Sequence, residues 1–372
     1  MRKFAVLLAA AATMMAQTGT VKSKDDVRIN QIQIIGSHNS YHVGLTPGVK
    51  ALLAAKNPKS LRGLDYDHKP IPTQLDAGVR QLEIDIYADS KGGLYSHPAA
   101  AKVIEGMGFA PEPYNTDGQM DKPGFKVMHV QDIDQHSSCI TLRECITTVL
   151  TWSNAHPNHI PIFILLEGKA GKPHADLPGA VTPEPFTPAV FDELDTELRS
   201  IVPANKLITP DMVRGKHATL PEAIADNGWP TLKQARGKLV FLLDNRALTS
   251  IYVEGHPADK GRVIFPNGVV GNPETAFTEE NFGAEERLNE LAKQGVLVRT
   301  RSDADTEQAR TNDTSLRDKD LRSGAQIIST DYFVSEPAKY DGHFVVTLPG
   351  NVVARCNPIN APKGCPAGDL EK

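Results

Sequence analysis

Apolar residues along this chain gather into short runs that stop abruptly at polar groups. The first, Ile32-Gln33-Ile34-Ile35, runs straight into Gly36-Ser37-His38-Asn39-Ser40 and reads as a buried strand delivering polar side chains at its carboxyl end. Ile160 to Leu166 and Leu239 to Leu243 are near-continuous apolar runs of the kind buried on both faces of a parallel sheet. They end at Glu167-Gly168-Lys169 and Asp244-Asn245. Val79 to Tyr87 alternates, so that Glu83 and Asp85 share one side of a strand. The same reasoning predicts strands at Phe125 to Val130, Arg262 to Pro266, Val296 to Arg301 and Ala325 to Phe333. Helical spacing is read at Val49 to Ala55, from Ile71 to a closing Gly78, at Cys139 to Trp152, at Phe191 to Ile201, within Asp211 to Asp226, and at Glu285 to Lys293. Thr141 with Glu144 suggests a capping box for the third of these. Long Gly- and Pro-rich connections fill 88–124 and 170–190, the first holding His97 before a proline, a turn setting that favours a structural or solvent role.

Eight strands alternating with helices or loops, with polar residues at their carboxyl ends, predict an α/β fold: a single-domain (β/α)8 TIM-type barrel with long loops. An open doubly wound sheet is the second choice, but no Gly-rich phosphate loop follows the first strand. The 372 residues are 40% apolar, enough for one barrel. Met1-Arg2-Lys3, the apolar run Phe4 to Ala12 and the small residues after it read as a signal peptide over 1–19. The barrel is then expected over 28–345, with a Pro- and Gly-rich tail over 346–372.

No later run is apolar enough for a transmembrane segment, so a secreted or periplasmic monomer is expected. The net charge is −5, which argues against nucleic acid as a partner and against broad attraction to anionic membranes. Four cysteines allow three connectivities. Two local loops, Cys139 to Cys145 and Cys356 to Cys365, are the simplest, and neither pair has the short spacing or neighbouring His of a zinc site.

Asn39, Glu83, Asp85 and Glu167 offer four oxygen ligands with no sulfur or imidazole, the set a hard cation prefers. Several converging protein oxygens favour Ca2+ over Mg2+. His38 and His129 would flank the ion and Lys169 would add positive charge. Two imidazoles, a divalent cation and a lysine suit cleavage of a phosphodiester.

Gly36-Ser37-His38-Asn39-Ser40, Glu83-Ile84-Asp85, Met128-His129-Val130 and Leu165-Leu166-Glu167-Gly168-Lys169 together resemble the calcium-dependent phosphatidylinositol-specific phospholipases C. The order matches from about residue 30 to 170, and Ser329-Thr330-Asp331-Tyr332 resembles that family's last strand. The resemblance implies one calcium ion on Asn39, Glu83, Asp85 and Glu167, with His38 and His129 catalytic. It implies attack by an inositol hydroxyl on the adjacent phosphate of a phospholipid, giving diacylglycerol and a cyclic or linear inositol phosphate. Lys169, Arg299, Asp331 and Tyr332 are the expected head-group contacts. With no basic cluster beyond Lys169, Arg299 and Arg301, unphosphorylated phosphatidylinositol is the expected lipid. Two rival readings are a glycerophosphodiester phosphodiesterase, disfavoured because Asn39 follows His38 directly, and a catalytically silent protein binding calcium and a lipid head group, disfavoured because both histidines are kept.

Overall fold

The computed structural model describes residues 20–173 and 177–372; the expected signal peptide lies outside the described residues. Among the described residues eleven strands form: β1 (Ile32–Ser37), β2 (Gln81–Asp89), β3 (Gly124–Val127), β4 (Ile162–Gly168), β5 (Leu207–Ile208), β6 (Leu239–Leu243), β7 (Ile264–Pro266), β8 (Phe277–Glu279), β9 (Leu297–Arg301), β10 (Ile327–Thr330) and β11 (Ala354–Cys356). Parallel pairing runs β6-β4-β2-β1-β10-β9-β8, and β7 pairs in parallel with β6. A single parallel bridge from Asn267 to Phe277 closes the ring between β7 and β8, supported by the Gly268 N–H donating to Phe277 O at 3.1 Å. The result is an eight-stranded barrel, irregular because no helix separates β7 from β8.

The sequence count of eight is met by a different set of strands. The run at 125–130 is not a barrel stave: it stops at Val127 and pairs antiparallel with the outer half of β2, Ile86 opposite Val127. Its place is taken by β8, whose three residues are too few to show a period. β11 pairs antiparallel with β1, Ile32 opposite Cys356, and the Cys139–Cys145 and Cys356–Cys365 disulfides form as the two local loops expected.

Several helix starts follow one local rule. Thr46, Thr187 and Thr209 each precede a proline, and each side chain accepts the N–H of the third helical residue of Pro47–Lys56, Pro188–Ile201 and Pro210–Arg214. Thr141 caps Leu142–Ala155 in the same way, while Glu144 turns back to accept from the Ile140 N–H at 3.0 Å and not from Thr141.

Strand periodicity divides the barrel into layers. Phe163, Leu165 and Glu167 share one face of β4, as do Val240 and Leu242 with Asp244 beyond β6, and Gln81, Glu83 and Asp85 on β2. Register sets Glu83 beside Leu165, Asp85 beside Glu167 and Glu279 beside Arg299. The interior therefore changes along the axis, from Ile34, Phe163, Val240 and Ile327 to a charged layer at the carboxyl ends. The outward faces carry Ile84, Ile164, Leu166, Phe241 and Leu243 into a second core with Val149, Phe191 and Leu194 of the helices. Leu242 is fully buried in the inner core, and Leu242→Ala is expected to cost about 2–5 kcal/mol, measured by denaturant unfolding.

Candidate active site

β1 ends at Ser37 and the chain turns at Asn39, whose backbone has φ 45°, a left-handed conformation that asparagine tolerates better than most residues. His38 is set over the barrel mouth by this turn. Its Nδ1 lies 2.8 Å from Asp331 Oδ1, and its Nε2 lies 2.9 Å from Arg301 Nη1. A guanidinium only donates, so Nε2 accepts and the ring proton sits on Nδ1, donated to Asp331. Burial and the Arg301 charge draw the His38 pKa well below its ordinary value, against the pull of Asp331. His68 supports the backbone here, with Nε2 2.9 Å from the His38 carbonyl and Nδ1 2.9 Å from Glu336.

His129 follows β3 by two residues. Its Nδ1 lies 3.0 Å from Asp134 Oδ2, an oxygen that also meets His42 Nε2 at 2.9 Å. Burial lowers the His129 pKa, opposed by Asp134. Two imidazoles thus rest their Nδ1 atoms on buried carboxylates. His38 comes from β1, and His129 from the loop beyond β3.

Between them lies the acid layer. Carboxylate oxygens of Glu83, Asp85 and Glu167 come within 4.8 Å of one another. Lys169 Nζ lies 2.9 Å from Asp85 Oδ2 and 2.7 Å from Glu167 Oε2. Arg299, buried inside the barrel, pairs with Glu83 and Glu279 and donates to Asn281 at 2.8 Å and Ser329 at 3.1 Å. Asp244 joins from the end of β6. Burial, then Glu279, Glu83 and Glu167, push its carboxyl up to about 10. Burial also raises Glu83 to about 8, against Arg299, and Asp85 to about 7, against Lys169. Among the described residues, the Lys and Arg partners of Glu83, Asp85, Glu167, Glu279, Asp303 and Asp331 at this end of the barrel are Lys169, Arg299 and Arg301, and Asp244 has none.

That excess of acid fits a divalent cation. Asn39 donates its amide to the Tyr66 hydroxyl at 2.8 Å, which leaves Asn39 Oδ1 free to accept. Asn39 Oδ1 and Asp85 Oδ1 are both buried with no hydrogen-bond partner, an arrangement costly in an empty interior and natural for calcium ligands. The donor set contains only oxygen, as a hard ion requires.

The structure brings His38, Asn39, Glu83, Asp85, Glu167, Lys169, Arg299 and Asp331 to one end of the barrel, with His129 beside them. It does not leave them equally open. Arg299 and Asp331 are occupied by internal partners, and Tyr332 packs into the outer core against Phe344 at a ring distance of 6.0 Å. Residues not singled out from the sequence complete the site: His42, Asp134, Glu279, Asp303 and, in its contact with His38, Arg301. The Arg299-x-Arg301 alternation carried the same period-two signal as Glu83-x-Asp85. Nothing in the local pattern marked Asp134 or Glu279.

Oxygen-only acids between two histidines at the carboxyl end of a parallel barrel suit metal-assisted cleavage of a phosphodiester. The profile of the family described as phosphoinositide phospholipase C, Ca2+-dependent, matches residues 27–358, and the chain belongs to that family. It is a calcium-dependent enzyme, a phosphoric diester hydrolase that cleaves phosphatidylinositol in the manner of a phospholipase C. This decides for the phospholipase over the two rival readings of the sequence. A search of curated proteins gave no match. Among solved structures, the apo calcium-dependent phosphoinositol-specific phospholipase C of a Pseudomonas species (crystal form 2) is similar at 16% identity and TM-score 0.53, over 91% of this chain and 98% of that one. The myoinositol complex from the same organism gives 17% and 0.52, over 90% and 96%. At these identities the likeness concerns the fold alone.

Arg299→Ala would leave Glu83 and Glu279 buried without their counter-charge. Such losses cost about 3–5 kcal/mol, and calorimetry is expected to show a large drop in Tm.

Proposed function

We propose that His38, His129, Asn39, Glu83, Asp85 and Glu167 form the working centre, and that the lipid cleaved is unphosphorylated phosphatidylinositol. The observation that carries this is the pair of histidines, each with Nδ1 on a buried carboxylate, flanking the acid cluster. Asn39, Glu83, Asp85 and Glu167 would hold the calcium ion. When bound, it supplies positive charge to the phosphoryl oxygens and lowers the pKa of a coordinated hydroxyl.

His38 is suited to be the base. Its Nε2 lone pair already accepts from Arg301, and its Nδ1–H on Asp331 stabilises the imidazolium that forms, as in other base–carboxylate pairs. The inositol hydroxyl next to the phosphate gives its proton to His38 Nε2 as its oxygen bonds to phosphorus. Arg301, displaced from His38 by that hydroxyl, is placed to donate to the phosphate oxygens. His129 acts from its imidazolium form: with Nδ1–H on Asp134, it gives its Nε2 proton to the departing diacylglycerol oxygen as the P–O bond breaks, and is left neutral with one proton on Nδ1. The product of this step is a cyclic inositol phosphate, and water attacking by the reverse path gives the linear ester.

Two features bear on the setting. Among the described residues, no helix is long and apolar enough to cross a membrane. Both disulfides suit an oxidising compartment, which supports the secreted or periplasmic reading. Of the large apolar side chains left exposed, Val43, Leu94, Val269, Phe282 and Val334 lie in loops leaving the carboxyl ends of β1, β2, β7, β8 and β10. They supply apolar contact for a lipid surface around the mouth.

His38→Ala and His129→Ala are each expected to lower kcat on phosphatidylinositol by about 10²–10⁴-fold, read by 31P NMR of the released cyclic and linear esters. Retention of activity in either would remove that residue from the centre. Chelation should abolish turnover and calcium should restore it, and Asp85→Asn should weaken calcium binding in calorimetry. Unaltered affinity in that variant would take Asp85 out of the ligand set. Phe282→Ser with Val334→Ser should lower turnover on vesicles and spare a short-chain monomeric substrate; equal loss on both would show that these side chains do not meet the lipid surface.

A further inference from the structure

Behind His129 lies a second imidazole that the chemistry above does not use. His42 stands at the end of the turn that presents His38 and Asn39, and its backbone N–H donates to Asn39 O at 2.8 Å. The surrounding backbone is tied on two more sides. His42 pairs with Ser137 in an antiparallel bridge, and the His68 N–H donates to His42 O at 2.8 Å. The side chain is fully buried. Its ring packs 4.7 Å from that of Tyr66, the residue whose hydroxyl accepts from Asn39.

Nδ1 of His42 is buried with no partner, so the ring proton belongs on Nε2, where it is donated to Asp134 Oδ2 at 2.9 Å. The same oxygen takes the Nδ1–H of His129 at 3.0 Å. Asp134 reaches this position at the end of a tight turn, with its N–H on Val130 O at 2.8 Å. Asp132 within that turn has φ 69° and accepts the N–H groups of Ala99 at 2.9 Å and Val181 at 2.6 Å. One carboxylate oxygen between two fixed donors has a single orientation. With one donor it is free to rotate about its own bond, and the His129 ring loses its fixed direction.

Resting on the reading of His129 as the acid, we infer that His42 is a positioning residue: its Nε2–H pins Asp134, which holds the His129 Nδ1–H and aims the Nε2–H of the His129 imidazolium at the departing oxygen. His42 touches no substrate. It joins the turn that carries the calcium ligand Asn39, through its backbone, to the acid, through its side chain.

The test uses the calcium-loaded enzyme. His42→Phe keeps the ring against Tyr66 and removes the donor. His42→Gln places an amide N–H where Nε2 stands, and His42→Asn places it where Nδ1 stands, out of reach of Asp134. His42→Phe and His42→Asn are expected to lower kcat by roughly 10- to 100-fold, with KM and the calcium Kd at wild-type values, and His42→Gln to recover most of the loss. In 15N NMR of histidine-labelled protein at a pH where the ring is neutral, His129 should show the Nδ1–H tautomer alone in the wild type and a mixture in His42→Phe. Wild-type kcat in His42→Phe and His42→Asn would overturn the inference. So would a joint fall of kcat, KM and calcium affinity that His42→Gln does not relieve, since that marks a structural role. The tautomer readout stands apart from the acid assignment, which falls by itself if His129→Ala retains activity.

Discussion

The constraint on which this structure turns is the burial of carboxylates at one end of a barrel. Glu83, Asp85 and Glu279 sit almost wholly out of water, where an unpaired charge is untenable. Arg299 meets two of them and Lys169 meets Asp85 and Glu167. Even so, the carboxyls of Glu83, Asp85 and Asp244 are raised far above their ordinary range. The layer therefore holds more carboxyl groups than Arg299 and Lys169 balance, which suits a divalent cation. Calcium dependence follows from the fold's own electrostatics as much as from any individual ligand.

The two histidines answer the same constraint from different elements. His38 leans on Asp331 across the seam between β1 and β10, and His129 leans on Asp134 within a turn beyond β3. A carboxylate behind each Nδ1 fixes the tautomer and leaves Nε2 for proton transfer. Arg301 makes the pairs unequal, since it donates to His38 and has no counterpart at His129. That asymmetry sets the two imidazoles apart without requiring different residue types.

Much of this was legible from the sequence where strand chemistry is local. Apolar runs ending in Asn39, Glu83, Asp85 and Glu167 announced both the barrel and the oxygen-bearing side chains at its carboxyl end, because period-two alternation and carboxyl-end placement need no long-range information. The element at 125–130 misled: β-branched residues predict a strand but not its partner, and this one pairs antiparallel on the flank of β2. β8 was missed because three residues carry no periodicity, although the stave supplies Glu279 to the layer. The head-group expectation for Arg299, Asp331 and Tyr332 came from the nature and order of the residues. Folding turns the first two inward to partners from other strands and buries the third in the outer core.

The sequence by itself determined which side chains stand at the ends of which strands, and hence the oxygen-rich, histidine-flanked chemistry, because the backbone alternates faces over a span of a few residues. Only the tertiary structure decided which charge meets which. The pairs that set the site, Arg299 with Glu83, Asp331 with His38 and His42 with Asp134, join residues 216, 293 and 92 positions apart. Closing the barrel brings them within hydrogen-bonding reach, and Coulomb energies in a buried layer depend on that distance and not on the spacing along the chain.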